Sequence, residues 1–225
     1  MEKAEDVIGK VDGVVITTDI GKRHLKLAKP FIERDIPVFI DKPLTDNKND
    51  LKEFIKYFKK DKPILSSSSL RYAKEIEKLK IDREKIDFVS CIMSKSWERY
   101  GVHAVEGLFK ILGSGIEKVL NVVEEKVGSY FLWWKNGKMA EIQMVYNSKI
   151  FGRFFIFDKE TVEIETNDYF YMFKKQMETF VNFIKERKYP YDPFETIEIT
   201  KVIVAGIKSK KLKREIKLEK INGNT

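Results

Sequence analysis

A lysine and a histidine stand where they could move a proton. Lys42 follows the apolar run of residues 37–41, which is typical of a buried strand, and precedes Pro43. A cation at the carboxyl end of a parallel strand faces the crevice where open α/β sheets bind ligands, and there it can polarise a hydroxyl or carbonyl oxygen. His103 opens a predicted helix, and an imidazole titrates near enough to neutrality to act as acid or base. The alternatives are a surface lysine and a structural histidine.

Two other kinds of chemistry lack support in the sequence. A dinucleotide-binding loop has the pattern Gly-x-Gly-x-x-Gly between a strand and a helix, with an acidic residue about 20 residues later. The one Gly-x-Gly here, at residues 113–115, follows a predicted helix and lacks the third glycine, so it indicates a loop and helix C-cap. The two histidines and Cys91 lie far apart, and we expect no metal site.

The composition is that of a folded protein with mixed surface charges. Of the 225 residues 43% are hydrophobic, which is ample for a buried core. The net charge of +8 comes from lysines that mostly neighbour acidic residues, so we expect a stabilising charged surface and no nucleic-acid partner. No apolar run approaches the ~18 residues of a membrane span, and the charged N-terminus has no secretory signal. A single cysteine also fits a reducing compartment, and we expect a cytoplasmic protein.

The elements that must position Lys42 alternate in type over the first 70 residues. Apolar, β-branched runs predict strands at residues 11–18, 37–41 and 63–67. The helix pattern predicts residues 21–34, with Pro30 inside, and a second helix capped by Asn47 or Asn49. Right-handed crossovers between such strands give a parallel sheet, so the fold class is α/β in this part.

The later residues predict an antiparallel sheet with helices on one side. Helices are predicted over residues 71–79, 102–112, 170–184 and 194–209, and strands over 87–94, 116–127, 129–134, 138–147, 150–157, 161–165 and 215–219. Asn136-Gly137 predicts a hairpin with a type I′ turn. An apolar stripe in the third of these helices indicates core packing; its members are Phe170, Phe173, Met177, Phe180, Val181 and Ile184.

Several segments together resemble the Gfo/Idh/MocA family of NAD(P)-dependent sugar and polyol dehydrogenases. In residues 11–24 a strand ends in small polar residues before a helix that bears a histidine, and residues 36–45 run into Asp-Lys-Pro. The resemblance continues through Leu70-Arg71-Tyr72, Gly101-Val102-His103 and residues 193–209. It implies a partial dinucleotide-binding domain at residues 1–70, the C-terminal half of a Rossmann-type sheet. An α+β domain with an open, mostly antiparallel sheet is implied for residues 71–225.

The resemblance also implies roles for individual residues and a cofactor, NAD or NADP. Lys42 and His103 match positions that polarise the reacting oxygen and carry its proton. Five residues match or lie near positions that face the cofactor: Thr17, Thr18, His24, Asp41 and Arg71. Other interpretations remain open, because a threonine can cap a helix, an aspartate can shape a turn and an arginine can be solvated.

Two departures from the family pattern bear on catalysis. The family usually has an aspartate four residues before the histidine, where this sequence has Arg99; Glu98 could replace it only if the local backbone differs. No Gly-x-Gly-x-x-Gly precedes residue 11, so we expect the chain to begin at the fourth strand of the dinucleotide fold and to be impaired alone.

Two functional hypotheses follow. The first is an oxidoreductase that moves a hydride between NAD(P) and a secondary alcohol of a sugar or polyol. The alternative is a non-catalytic assembly or binding subunit built from the same family's C-terminal domain. In either case we expect a homo-oligomer through the antiparallel sheet, and an exposed edge at residues 14–17 that could receive a chain supplying the nucleotide-binding half.

Overall fold

A computed structural model describes residues 4–158 and 160–221. Its N-terminal part is a three-stranded parallel sheet in the order β1-β2-β3, formed by β1 (Val14–Ile16), β2 (Val38–Asp41) and β3 (Ile64–Ser67). Two helices make the crossovers, α1 (His24–Ile32) and α2 (Lys48–Phe58). The alternation of strands and helices in the sequence therefore predicted this sheet correctly, and β1 forms one edge of it.

The second sheet has seven strands in the order β10-β5-β6-β7-β4-β8-β9. The strands are β4 (Phe88–Ser94), β5 (Ile116–Glu124), β6 (Val127–Trp134), β7 (Met139–Val145), β8 (Phe151–Phe157), β9 (Thr161–Glu165) and β10 (Ile216–Lys217). All neighbours are antiparallel except β4 and β7. The predicted open, mostly antiparallel sheet is thus confirmed.

The helices that belong to this part of the chain are α3 (Lys74–Glu77), α4 (Val102–Leu112), α5 (Tyr169–Glu186) and α6 (Pro193–Leu212). Helices α3, α4 and α6 pack on the second sheet, whereas α5 packs on Phe39 and Leu65 of the small parallel sheet. Burial alternates along β6 and β7, with one set of side chains in the core and the other on the outer face. No helix in the described part of the chain is long and apolar enough to cross a membrane.

Trp97 anchors the segment that leads into α4. Its ring stacks on Tyr130 with 4.0 Å between ring centroids, and its Nε1 donates a hydrogen bond of 3.0 Å to the Ile203 carbonyl. A Cβ atom at Gly206 would lie 2.3 Å from Trp97 Nε1, so α6 can approach this closely only with glycine there. The anchored segment, Trp97–Gly101, is a turn of π-helix, a form that often occurs at functional sites.

Two local predictions were wrong. The helix predicted over residues 71–79 is a short 3₁₀ turn, Ser69–Tyr72, followed by the four-residue α3, because Ala73 between them is extended. Asn136-Gly137 does join β6 and β7 in the predicted hairpin, but the turn is not type I′, because Gly137 has a positive φ of 89° and Asn136 does not, whereas that turn needs two such residues.

The predicted core stripe of α5 is buried on only one side. Phe180 is buried, with its ring centroid 5.5 Å from that of Phe39 in β2. Phe170, Phe173 and Val181 are instead 79%, 51% and 44% exposed. The helix crosses the small sheet towards its β1 edge, and none of the described residues covers the outer flank. Helical periodicity identified an apolar face but could not tell how much of it has a neighbour.

Candidate active site at the carboxyl ends of the parallel strands

The candidate site lies where the parallel strands end and α4 begins. Lys42 follows β2 directly, and a run of four serines, residues 66–69, spans the end of β3. His103 lies in the first turn of α4. A polar pocket of about 160 Å³ opens beside them; its lining residues are Asp19, Lys42, Pro43, Lys95, Glu98, Arg99 and Tyr100. The carboxyl ends of the strands are therefore also the place where the structure forms a cleft.

Lys42 is half-buried and has one acidic neighbour. Its Nζ lies 3.1 Å from Oδ2 of Asp41, the last residue of β2, and about a fifth of each side chain is exposed. The ammonium group is therefore held at the strand end while keeping access to the cleft. Asp41, predicted as a cofactor residue, is positioned to orient Lys42.

His24 ties the loop after Lys42 to the end of β1. The ring is fully buried, with Nδ1 2.9 Å from the Pro43 carbonyl oxygen and Nε2 2.8 Å from the Thr18 carbonyl oxygen. Both contacts are with backbone carbonyl oxygens, which accept hydrogen bonds from ring N–H groups. The structure therefore gives His24 a role in holding two loops together, and its contact with a cofactor stays a prediction.

His103 is buried next to Tyr100, one of the residues that line the pocket. Its Nδ1 lies 2.6 Å from Oγ of Ser68, and the rings of Tyr100 and Phe151 each pack edge-on at 4.8 Å between centroids. Burial lowers the pKa of His103 well below its ordinary value, and the nearby positive charges of Lys42 and Lys95 lower it further. The imidazole is consequently neutral at pH 7 and able to accept a proton.

Arg71 belongs to a buried ionic network. Its Nε donates to Glu106 Oε2 at 2.5 Å and its Nη1 to Glu195 Oε2 at 2.8 Å, while the guanidinium carbon lies 4.0 Å from the centroid of the Tyr191 ring. Glu106 also accepts a hydrogen bond of 3.1 Å from the Ser68 amide. Only Nη2 of Arg71 is left buried without a partner among the described residues. Arg71 thus stabilises the end of β3, and a direct cofactor contact stays a prediction.

The predicted residues fall into two adjoining groups. Thr17, Thr18, His24, Asp41 and Lys42 cluster at the ends of β1 and β2, and Arg71 and His103 at the junction of β3 with α4. Sequence reasoning missed Ser68 and Glu106, although Glu106 is one helical turn from His103. It also missed Lys95 and Tyr100, which lie beside His103.

The carboxylate of Glu98 is already paired with a lysine. Its carboxylate accepts a hydrogen bond of 2.9 Å from Lys210 Nζ, although the local backbone is π-helical. Arg99 lines the pocket, and no carboxylate of the described residues lies within ion-pair distance of it. The part of the site that departs from the family pattern is thus basic rather than acidic.

Comparison with known proteins agrees with this architecture. Residues 1–69 match GFO_IDH_MocA, the oxidoreductase family with an NAD-binding Rossmann fold, and no curated protein matches the sequence. Three solved structures share the fold of this chain. An oxidoreductase from Agrobacterium radiobacter in complex with NAD+, L-tartaric acid and magnesium has a TM-score of 0.83 at 12% identity, over 97% of this chain and 84% of that one.

The other two structures come from Lactobacillus casei. An apo scyllo-inositol dehydrogenase has a TM-score of 0.81 at 12% identity, over 97% of this chain and 83% of that one. A myo-inositol dehydrogenase in complex with NAD(H) and myo-inositol has a TM-score of 0.76 at 13% identity, over 92% of this chain and 77% of that one. At these identities the likeness defines the fold.

The fold is therefore a Rossmann-type parallel sheet followed by an open, mostly antiparallel α+β sheet, as in these solved structures. The resemblance to the Gfo/Idh/MocA oxidoreductases, an NAD-binding family, is confirmed by the match of the first 69 residues and by the fold of the whole chain.

The electrostatic coupling at His103 can be measured directly. The chain has only two histidines, so their ring signals are readily assigned in an NMR titration. Replacing Lys95 by Met removes a positive charge near the imidazole, so the pKa of His103 rises towards its ordinary value. The matched variant Lys60→Met, on an exposed part of the chain, leaves it unchanged. An unchanged His103 pKa in Lys95→Met would show that the two groups are not coupled.

The ionic network predicts a large loss of stability in Arg71→Met. Removing the cation leaves Glu106 buried and uncompensated, which costs about 3–5 kcal/mol in the free energy of unfolding. Urea denaturation measures the difference. Lys56→Met, which removes an exposed ion pair with Glu53, is the control and leaves stability unchanged. A loss below about 1 kcal/mol in Arg71→Met would be typical of a surface ion pair. It would contradict the assignment of Arg71 to a buried ionic network.

Proposed function

We propose that the protein is an NAD(P)-dependent oxidoreductase that interconverts a secondary alcohol of a sugar or polyol and the corresponding ketone. The observation that carries the proposal is the placement of Lys42 and a neutral His103 at one cleft, at the carboxyl ends of the parallel strands. An NAD-binding family match over the residues that form these strands supports it.

One end of such a cofactor fits the residues that are present. Oγ1 of Thr18, just past the end of β1, is buried without a hydrogen-bond partner among the described residues. A ribose hydroxyl or carboxamide of the cofactor could satisfy it. The 225 residues contain no Gly-x-Gly-x-x-Gly loop for the pyrophosphate, so we expect this chain on its own to bind the cofactor weakly.

The side chains divide the proton chemistry between them. The cofactor, when bound, supplies the nicotinamide that accepts or returns the hydride. Lys42 donates a hydrogen bond to the reacting oxygen and stabilises the negative charge that develops there. His103 takes the hydroxyl proton at Nε2, which requires that its Nδ1–H donate to Ser68 Oγ. The alcohol would thereby become a ketone, and its hydroxyl proton would remain on His103.

The dependence of turnover on these two residues tests the proposal. With NAD+ at millimolar concentration and a panel of polyols, formation of NADH at 340 nm is measured for wild type, Lys42→Met and His103→Phe. We expect each substitution to lower kcat/KM by about 10²–10⁴, because each removes a group that acts in the transition state. Lys60→Met is the control with wild-type activity. Turnover that survives both substitutions would contradict the assignment of Lys42 and His103 as the catalytic residues.

A second candidate, an assembly or binding subunit, is favoured by one surface. The edge strand β1 has no partner strand on its outer side among the described residues, and Val15 points outward at 44% exposure. The exposed apolar residues of α5 lie on the same part of the molecule, since Ile184 packs against Gly13. Such an edge favours addition of a strand, including one from a chain that carries a phosphate-binding loop.

Homo-oligomer formation through the larger sheet is a separate proposal. Its outer face carries half-buried aromatic side chains, among them Phe131 and Trp133 in β6 and Phe155 in β8. An uncovered apolar face of this kind favours association with a second copy.

Light scattering of two single-site variants separates the two surfaces. If the outer sheet face forms the oligomer, Phe131→Lys shifts the mass of the wild-type particle towards that of the monomer. Val15→Lys, on the β1 edge, leaves the mass unchanged. The opposite pattern would assign self-association to the edge strand, and a monomeric wild type at high concentration would contradict both.

A further inference from the structure

The pocket beside His103 carries a surplus of positive charge. Lys42, Lys95 and Arg99 line it, against the carboxylates of Asp19 and Glu98. Two of these charges are already paired, Glu98 with Lys210 at 2.9 Å and Lys42 with Asp41 at 3.1 Å. Among the described lining residues, this leaves Asp19 as the one carboxylate that could offset Lys95 and Arg99. Lys95 and Arg99 have no carboxylate within ion-pair distance among the described residues.

Lys95 is held in place by a neighbour of His103. Its Nζ donates to the Tyr100 hydroxyl at 2.5 Å and lies 4.1 Å from the centroid of that ring. The same ring packs on His103, so Tyr100 contacts both the Lys95 ammonium and the His103 imidazole. Lys95 also has a positive φ of 62°, uncommon for a residue with a side chain, directly after β4. The backbone thus turns at this point to bring Lys95 and the Trp97–Gly101 turn together.

The pocket is too small for a whole cofactor. Its volume of about 160 Å³ suits a terminal group and a few carbon atoms. Arginine and lysine are the side chains that recognise carboxylate and phosphate oxygens most strongly, arginine through two parallel hydrogen bonds. Lys42 lines the pocket and His103 lies close to Lys42 and Lys95, so an anionic group bound there would lie near the proposed position of the reacting hydroxyl.

We propose that the substrate carries a negatively charged group, a carboxylate or a phosphate, which Lys95 and Arg99 bind while a hydroxyl of the same molecule faces Lys42 and His103. The position of the hydroxyl rests on the proposed dehydrogenase function, whereas binding of the anion does not. Arg99 then determines specificity for the charged group of the substrate.

The test measures binding without cofactor, using isothermal titration calorimetry on the full chain. The probes are D-gluconate for a carboxylate, D-glucose 6-phosphate for a phosphate and myo-inositol as a neutral polyol. We expect at least one anionic probe to bind about tenfold more tightly than myo-inositol, a difference of about 1.4 kcal/mol. Arg99→Gln and Lys95→Met remove this preference and leave the affinity for myo-inositol unchanged. Both residues are exposed, so the variants are expected to fold, and Lys60→Gln is the control.

Each result decides one way. Equal affinity for all three probes, or a preference that survives Arg99→Gln, overturns the proposal. Competition by ADP with the same Arg99 dependence also overturns it, because the pocket would then hold the cofactor's phosphates. Anion binding that depends on Arg99, without turnover of any probe by NAD+, supports the pocket and counts against the dehydrogenase function. Turnover of neutral polyols at the same rate as anionic ones supports the dehydrogenase function. It overturns the proposal that the pocket recognises a charged group of the substrate.

Discussion

The geometry of the site depends on one buried junction between the end of β3 and α4. Ser68 contributes two of its polar groups: its amide donates to Glu106, and its hydroxyl is hydrogen-bonded to Nδ1 of His103. Glu106 can remain charged in the core because Arg71 lies against it. Since β3 is hydrogen-bonded to β2, this junction also fixes where His103 lies relative to Lys42. A proton acceptor and a cation from distant parts of the chain are thereby held at one cleft.

Much of the fold could be predicted from local sequence pattern. Residues 38–40 and 64–65 are apolar on both faces, as strands of a covered parallel sheet must be. Gly113 ends α4 with a positive φ of 82°. The failures are those where tertiary surroundings decide. Phe170 and Phe173 satisfy helical periodicity, but their exposure depends on what lies beside α5, which no local pattern encodes.

Two signals in the sequence predict where the candidate site lies, the ends of the parallel strands and the resemblance to the family. Lys42 follows from its position after a buried strand, and His103 from its place in the resemblance. Ser68 was not predictable because its partner His103 lies 35 residues away, and serines at a strand end have many other uses. Lys95 looks in the sequence like any other surface lysine. Only the turn after β4 and the packing of Tyr100 bring its charge to the imidazole.

The most direct test of the account is transfer of deuterium to the cofactor under single-turnover conditions. Protein in excess over NAD+, which offsets weak cofactor binding, is mixed with gluconate or myo-inositol deuterated at the carbons that bear hydroxyls, and NMR follows C4 of the nicotinamide. The account predicts deuterium at C4 with wild type and none with Lys42→Met. A nicotinamide that stays unlabelled with wild type, although NADH binds to the protein, would contradict it.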